Sequence, residues 1–181
     1  MKNGWNDMYA STKEASTHKG KQYAEPTVYY SWGMFYRKDL FQKVGISGEP
    51  KTWDQFLDVC KKLKAAGITP IAVAGRDSWT LAGWFDYLDL RINGAKYHLA
   101  LLAGKHSYDS APVKKVMAAF KQVLPYLSPS ILGTSYNQSM SDLSTGKAAM
   151  YLAGAFLETA VPKTERSDLG MTLNTKTILD L

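Results

Sequence analysis

Thr52-Trp53-Asp54-Gln55-Phe56-Leu57-Asp58-Val59-Cys60-Lys61-Lys62-Leu63-Lys64-Ala65-Ala66-Gly67-Ile68-Thr69-Pro70-Ile71-Ala72-Val73-Ala74-Gly75 decides the fold. Thr52 can cap a helix, and Gln55 three residues later can complete a capping box. Trp53, Phe56, Leu57, Cys60 and Leu63 then recur at helical spacing, and Gly67 supplies the left-handed stop. An apolar run of strand length follows, 68–75. A helix that stops at glycine and feeds a continuous apolar strand is the grammar of an α/β layer.

Outward from this unit, a helix is predicted from Ser78 to about Asn93, with Leu81, Trp84, Phe85, Leu88 and Ile92 on one stripe. A short helix over 95–103 follows. Residues 112–127 are the most regular segment, with Val113, Val116, Met117, Phe120, Val123, Leu124 and Leu127 on one face. Ser135 and Gln138 open another helix as a possible capping box, stopped by Gly146. Residues 147–152 read as a strand, and Phe156 opens a last helix. Upstream, β-branched and aromatic residues make 27–36 a strand in which Gly33 suggests a kink, a bulge or a close approach. A short helix follows to Val44. Residues 1–26 are polar without a clean period, and 10–17 is a short helix or a loop. The expected class is a helix-rich α/β lobe with three or four strands, its sheet small or finished by further chain.

Composition narrows the function. With 181 residues, 45% hydrophobic and 21% charged, the chain is no disordered, collagen-like or coiled-coil polymer. No apolar run is long enough to span a bilayer, so no membrane span is expected. Residues 1–7 do not read as a signal peptide, so this chain by itself is expected to stay where it is made. The net charge of +6 raises nucleic acid as a partner. The lysines are dispersed, however, and Lys61, Lys62 and Lys64 share a helix with Asp54 and Asp58, as on a solvated face. No nucleic-acid partner is expected. Cys60 is the sole cysteine, which excludes an internal disulfide or a thiolate cluster.

Catalytic signatures are missing. His18, His98 and His106 stand at no metal-ligand spacing and read as solvated, and no nucleophile elbow, phosphate loop or dinucleotide motif occurs. Asp86 and Asp89 lie three apart on one helix and read as a solvated pair, not as carboxylates placed across a bond. No metal, cofactor or catalytic residue is expected. The informative excess is aromatic, with five tryptophans and eleven tyrosines, several at element junctions. Flat rings beside carboxylates suit a sugar, whose apolar face stacks while its hydroxyls take oriented hydrogen bonds. The candidate ligand-binding residues are Trp32, Tyr36, Asp77, Trp79, Trp84, Asp86 and Phe156. Trp53 and Trp84 also lie on apolar stripes, which favours core packing for both.

Several blocks together resemble the extracellular solute-binding proteins of family 1, the sugar receptors of bacterial ABC importers. They are Tyr30-Ser31-Trp32-Gly33-Met34-Phe35-Tyr36-Arg37-Lys38-Asp39-Leu40-Phe41, Pro50-Lys51-Thr52-Trp53-Asp54-Gln55-Phe56, Leu63-Lys64-Ala65-Ala66-Gly67-Ile68-Thr69-Pro70-Ile71, Trp84-Phe85-Asp86-Tyr87-Leu88-Asp89-Leu90-Arg91-Ile92-Asn93-Gly94 and Gly146-Lys147-Ala148-Ala149-Met150-Tyr151-Leu152-Ala153-Gly154-Ala155-Phe156. The resemblance covers about residues 20–160. It implies part of a periplasmic-binding-protein (type II) fold, whose two lobes close on a ligand at a hinge. Residues 1–26 would be a remnant of the first lobe and the hinge approach, and 27–181 a partial second lobe. It also implies a mono- or oligosaccharide ligand, ABC permease subunits as partners, and a periplasmic or cell-surface lipoprotein setting. Three departures stand out: Ala155 where relatives often carry a polar residue, Tyr136-Asn137 where a tryptophan is usual, and 170–176 in place of a proline-containing apolar strand. Two other readings are a fragment of a carbohydrate-active enzyme and a basic, helix-rich interaction domain.

Overall fold

A computed structural model describes residues 7–172. The readings made above for 1–6 and for 173–176 lie outside them. The chain divides into two units, Met1–Ser31 and Trp32–Leu181. In the first, helix α1 (Ala10–Ala15) precedes a hairpin of β1 (Thr17–His18) and β2 (Lys21–Gln22). Lys19 (φ 49°) and Gly20 (φ 74°) are both left-handed, as a two-residue hairpin turn requires.

The second unit is built on a four-stranded sheet in the order β4-β5-β3-β6, formed by β3 (Trp32–Arg37), β4 (Thr69–Ala72), β5 (Ala148–Gly154) and β6 (Leu169–Thr172). β4 runs parallel to β5, whereas β3 is antiparallel to both β5 and β6. The predicted strand over 27–36 begins only at Trp32, the residue registered with Gly154; residues 27–31 are exposed and carry no strand. Gly33 pairs with Ala153 in unbroken register, so it makes no bulge. All seven residues of β5 are buried. Met34, Met150 and Leu152 point to one core and Phe35, Tyr151 and Ala153 to the other, the two-residue period of a strand covered on both faces.

Helices cover both faces. α2 (Lys38–Lys43) follows β3 directly, and α3 (Trp53–Ala65) precedes β4. α4 (Trp79–Ile92), α5 (Gly94–Leu102) and α6 (Ala111–Val123) follow β4, and α7 (Tyr136–Ser144) and α8 (Leu157–Ala160) flank β5. Trp53, Phe56, Leu63, Trp84, Leu88, Val116 and Val123 from α3, α4 and α6 fill the first core; Met140, Leu143 and Leu157 from α7 and α8 fill the second. Each such large side chain contributes about 1.5–3 kcal/mol by leaving water.

The local signals hold with small shifts. Thr52 Oγ1 accepts from the Gln55 amide at 3.2 Å, but Gln55 Oε1 accepts from Lys51 N, one residue earlier than a reciprocal box. Ser135 Oγ caps Gln138 N, while the Gln138 side chain donates to Asp142 instead. α6 stops at Val123 because Pro125 removes a donor, and Leu124–Tyr126 tightens into a 3-10 turn. Cys60 is fully buried and its thiol is pushed up by that burial.

Candidate ligand site

Sheet topology brings three separated segments to one edge. Because β4 and β5 are parallel, their carboxyl ends lie on the same side, and antiparallel β3 brings its first residue, Trp32, opposite Gly154 there. Residues after strand ends are free to face a ligand, which is where open α/β sheets bind theirs. Trp32 from the start of β3, Trp79 from the first turn of α4 and Phe156 from the turn after β5 meet at this edge. Their centroids are 6.3 Å apart for Trp32–Trp79, 6.4 Å for Trp32–Phe156 and 6.3 Å for Trp79–Phe156.

A fourth ring completes the group. Tyr136, the first residue of α7, lies 5.3 Å from Trp79 and 6.5 Å from Phe156. The sequence offered Tyr136 only as a departure from a family pattern; its helix position carried no sign of the loop it would meet. Trp79 is 41% exposed, and Trp32, Tyr136 and Phe156 are half-buried. Four rings inclined to one another by 45–87° form an uneven apolar wall with faces still open to solvent. Burial pushes the Tyr136 phenol up, so it is neutral and able to donate at physiological pH.

Two glycines permit this assembly. A β-carbon at Gly83 of α4 would stand 2.8 Å from the Trp32 indole, and one at Gly75 would stand 2.6 Å from the Ile131 carbonyl oxygen. Gly75 thus lets the β4–α4 loop approach the 3-10 turn Ile131–Gly133, where Arg76 N donates to Thr134 O at 3.2 Å. Asp77 then reaches α7, its Oδ2 accepting from Tyr136 N. Buried Thr80 donates to Ala74 O and pins the start of α4 to the end of β4.

Of the seven residues singled out by sequence, Trp32, Asp77, Trp79 and Phe156 come together and three do not. Tyr36 sits at the far end of β3, registered with Met150 and Gly170, stacked on Phe41 at 4.8 Å and donating to Glu49. Burial and the Glu49 carboxylate push its phenol up to about 12. Trp84 is buried in the first core, stacked with Phe120. Asp86 faces His98 Nε2 at 3.9 Å on the α4–α5 seam. The solvated readings of His98 and Asp89 are overturned: both are buried, joined Nδ1 to Oδ2 at 2.8 Å, and Asn93 donates to the other Asp89 oxygen. Tertiary contact between α4 and α5, invisible to a single-helix pattern, makes this network. Desolvation pushes the Asp86 carboxyl up. With Asp89 sealed inside, Asp86 and Asp89 do not present two carboxylates to a shared cleft.

Among the described residues no group of three or more metal-ligating side chains occurs, and no helix is long and apolar enough to cross a membrane.

Comparison with known proteins supplies context. Residues 1–169 match the family model of the bacterial extracellular solute-binding proteins. An ABC transporter extracellular-binding protein of Pyrococcus horikoshii is 30% identical over 122 residues, covering 67% of this chain and 28% of its own length. The multiple sugar-binding protein of Streptococcus mutans is 28% identical over 159 residues, covering 82% of this chain and 36% of its own. Among solved structures, the bacterial solute receptor AcbH, with an exclusive substrate preference for β-D-galactopyranose, is 28% identical and superposes with a TM-score of 0.84. That match covers 91% of this chain and 42% of the receptor chain. The chain therefore spans less than half the length of each of these relatives. These relatives are binding proteins rather than enzymes.

Proposed function

The chain belongs to the bacterial extracellular solute-binding proteins, and from that premise we propose that it carries the sugar-facing part of one lobe of an ABC importer's receptor. Its fold is a partial lobe of the periplasmic-binding-protein type, and the family is extracellular or periplasmic. Residues 27–181 belong to the second lobe in this reading, and 1–26 to the remnant of the first. A lipid-anchored cell-surface setting and permease subunits as partners follow from the same reading.

The single observation that carries it is the convergence of Trp32, Trp79, Tyr136 and Phe156 at the strand-end edge, with Trp79 left open to solvent. A pyranose presents C–H patches on one face and hydroxyls around its rim. Rings at mixed inclinations cover the first, while the Tyr136 hydroxyl addresses the second. The solute-binding relatives named for sugars support the ligand class.

Affinity in such receptors comes from contacts made only when two lobes close on the ligand. This chain holds one part of them, so it is expected to bind sugars weakly or not at all by itself. Calorimetry on the 181-residue chain and on a complete receptor containing it, against a panel of mono- and oligosaccharides, tests the reading. Binding by the complete receptor that is lost in Trp79→Ala supports it. No binding to any sugar by the complete receptor, or micromolar binding by the chain alone, would overturn it.

A further inference from the structure

One polar contact in the site has a different character from the rest. Asp77 Oδ2 accepts from the backbone N–H of Tyr136, the first residue of α7, across 59 positions of sequence. The N–H groups of a helix's first turn have no partner within the helix, and a carboxylate there gains from the charge-assisted bond and from the helix dipole. Another first-turn donor, Gln138 N, is already satisfied by the local cap Ser135 just before α7. Asp77 thus does what a local cap cannot: it joins the helix that carries Tyr136 to the loop that leads into Trp79.

The other end of α7 is also fixed from outside. The Arg37 guanidinium donates to the carbonyls of Leu143 and Ser144 at the helix's last turn and pairs with Asp39 through two bonds of 2.9 Å. α7 is held at both termini by charged side chains from other segments. The 5.3 Å approach of Tyr136 to Trp79 lies at the Asp77 end.

We propose that Asp77 is a positioning residue, whose carboxylate braces Tyr136 against Trp79 and so sets the spacing of the aromatic wall before any ligand arrives. Its consequence for affinity rests on the sugar-binding reading; its consequence for the ligand-free chain does not. A brace needs an acceptor oxygen at this position but no charge, so asparagine preserves it and alanine removes it. A direct contact from Asp77 to a ligand hydroxyl would leave the Tyr136 amide indifferent to both changes.

Amide hydrogen exchange of Tyr136 and near-ultraviolet circular dichroism of the rings, both on the ligand-free chain, separate these cases. Asp77→Ala is expected to speed exchange at Tyr136 by on the order of tenfold or more, the value of a charge-assisted bond, and to weaken the aromatic signal. The amides of β5 should stay protected, which marks the loss as local. Asp77→Asn is expected to speed exchange less than Asp77→Ala does and to retain the signal, since a neutral acceptor keeps about half of the bond. An Asp77→Ala chain with Tyr136 fully protected would overturn the proposal, as would an Asp77→Asn chain in which Tyr136 exchanges freely. If Asp77→Ala does not fold, the unsubstituted ligand-free chain decides: a protected Tyr136 amide supports the brace, and a freely exchanging one overturns it. In a complete receptor, sugar affinity should follow the same order; loss of all sugar binding with the exchange pattern intact would remove the ligand reading and leave the brace.

Discussion

The indole of Trp32 lies against the bare α-carbon of Gly83, where a β-carbon would come within 2.8 Å of two of its ring atoms. A glycine inside a helix is unfavourable by about 1 kcal/mol relative to alanine, so this position gives up helix stability to seat a site residue. Gly83→Ala should regain that propensity but force the ring or the helix to move. Overpacking of this kind is worth about 1–3 kcal/mol, so a net loss near 1 kcal/mol is expected in denaturant unfolding, with a shift in tryptophan fluorescence. A more stable chain with an unchanged emission spectrum would show that Trp32 is not seated on Gly83.

His98 and Asp89 form a buried polar pair. Asp89 has no solvent exposure, and both its oxygens are used, by His98 and by Asn93. Removing His98 leaves one oxygen of the sealed Asp89 carboxyl without its partner, so His98→Ala should destabilise by about 3 kcal/mol. Replacing the pair together by Asp89→Leu and His98→Phe should recover most of that loss, because no buried charge remains. Equal losses in the single and the double variant would contradict this account.

Ser78 is held at φ 54° and ψ −46°, beside Trp79 and without a side-chain capping bond. Non-glycine residues in such regions carry about 1–3 kcal/mol of strain, part of which glycine relieves at some cost in unfolded-state entropy. Ser78→Gly should therefore raise stability by about 1 kcal/mol, and Ser78→Val should lower it. Thermal unfolding of the two variants checks the order, and the reverse order would mean that the backbone is unstrained.

Tyr36 gives an alkaline signature. Its phenol is pushed from 10.0 up to about 12 by burial and by the Glu49 carboxylate that accepts its proton's bond. A folded-state value above the unfolded one stabilises fully below pH 10 and is lost as pH rises through about 12. The stability difference between the unsubstituted chain and Tyr36→Phe should shrink across that window in urea unfolding. A constant difference would show that Tyr36 titrates alike folded and unfolded.

Much of this is legible in the amino-acid sequence. The Thr52 cap, the Gly67 stop and the apolar run after it are local signals, and α3 and β4 follow them closely. Trp53 and Trp84 each sit on a stripe of period 3.6, which favours the core, and both are buried; Trp84 is thereby removed from the ligand-binding residues among which the sequence also places it. Trp79 at a strand-to-helix loop was legible for a similar reason, since ligand edges of α/β sheets lie where strands end. Tyr36 shows the limit. A two-residue period tells which face a side chain takes but not which end of the strand meets the site, and Tyr36 lies four residues from Trp32, at the wrong end.

The amino-acid sequence alone determined the α/β class, the order of the helices and the aromatic wealth at element junctions, because caps, stops and periodicity act over one or two turns of chain. Tertiary structure alone decided that Tyr136 joins the wall, that Asp77 grips its amide across 59 positions, and that Asp89 is sealed against His98. Those contacts depend on strand direction and helix packing, which bring together residues whose separation in the chain carries no trace of their meeting.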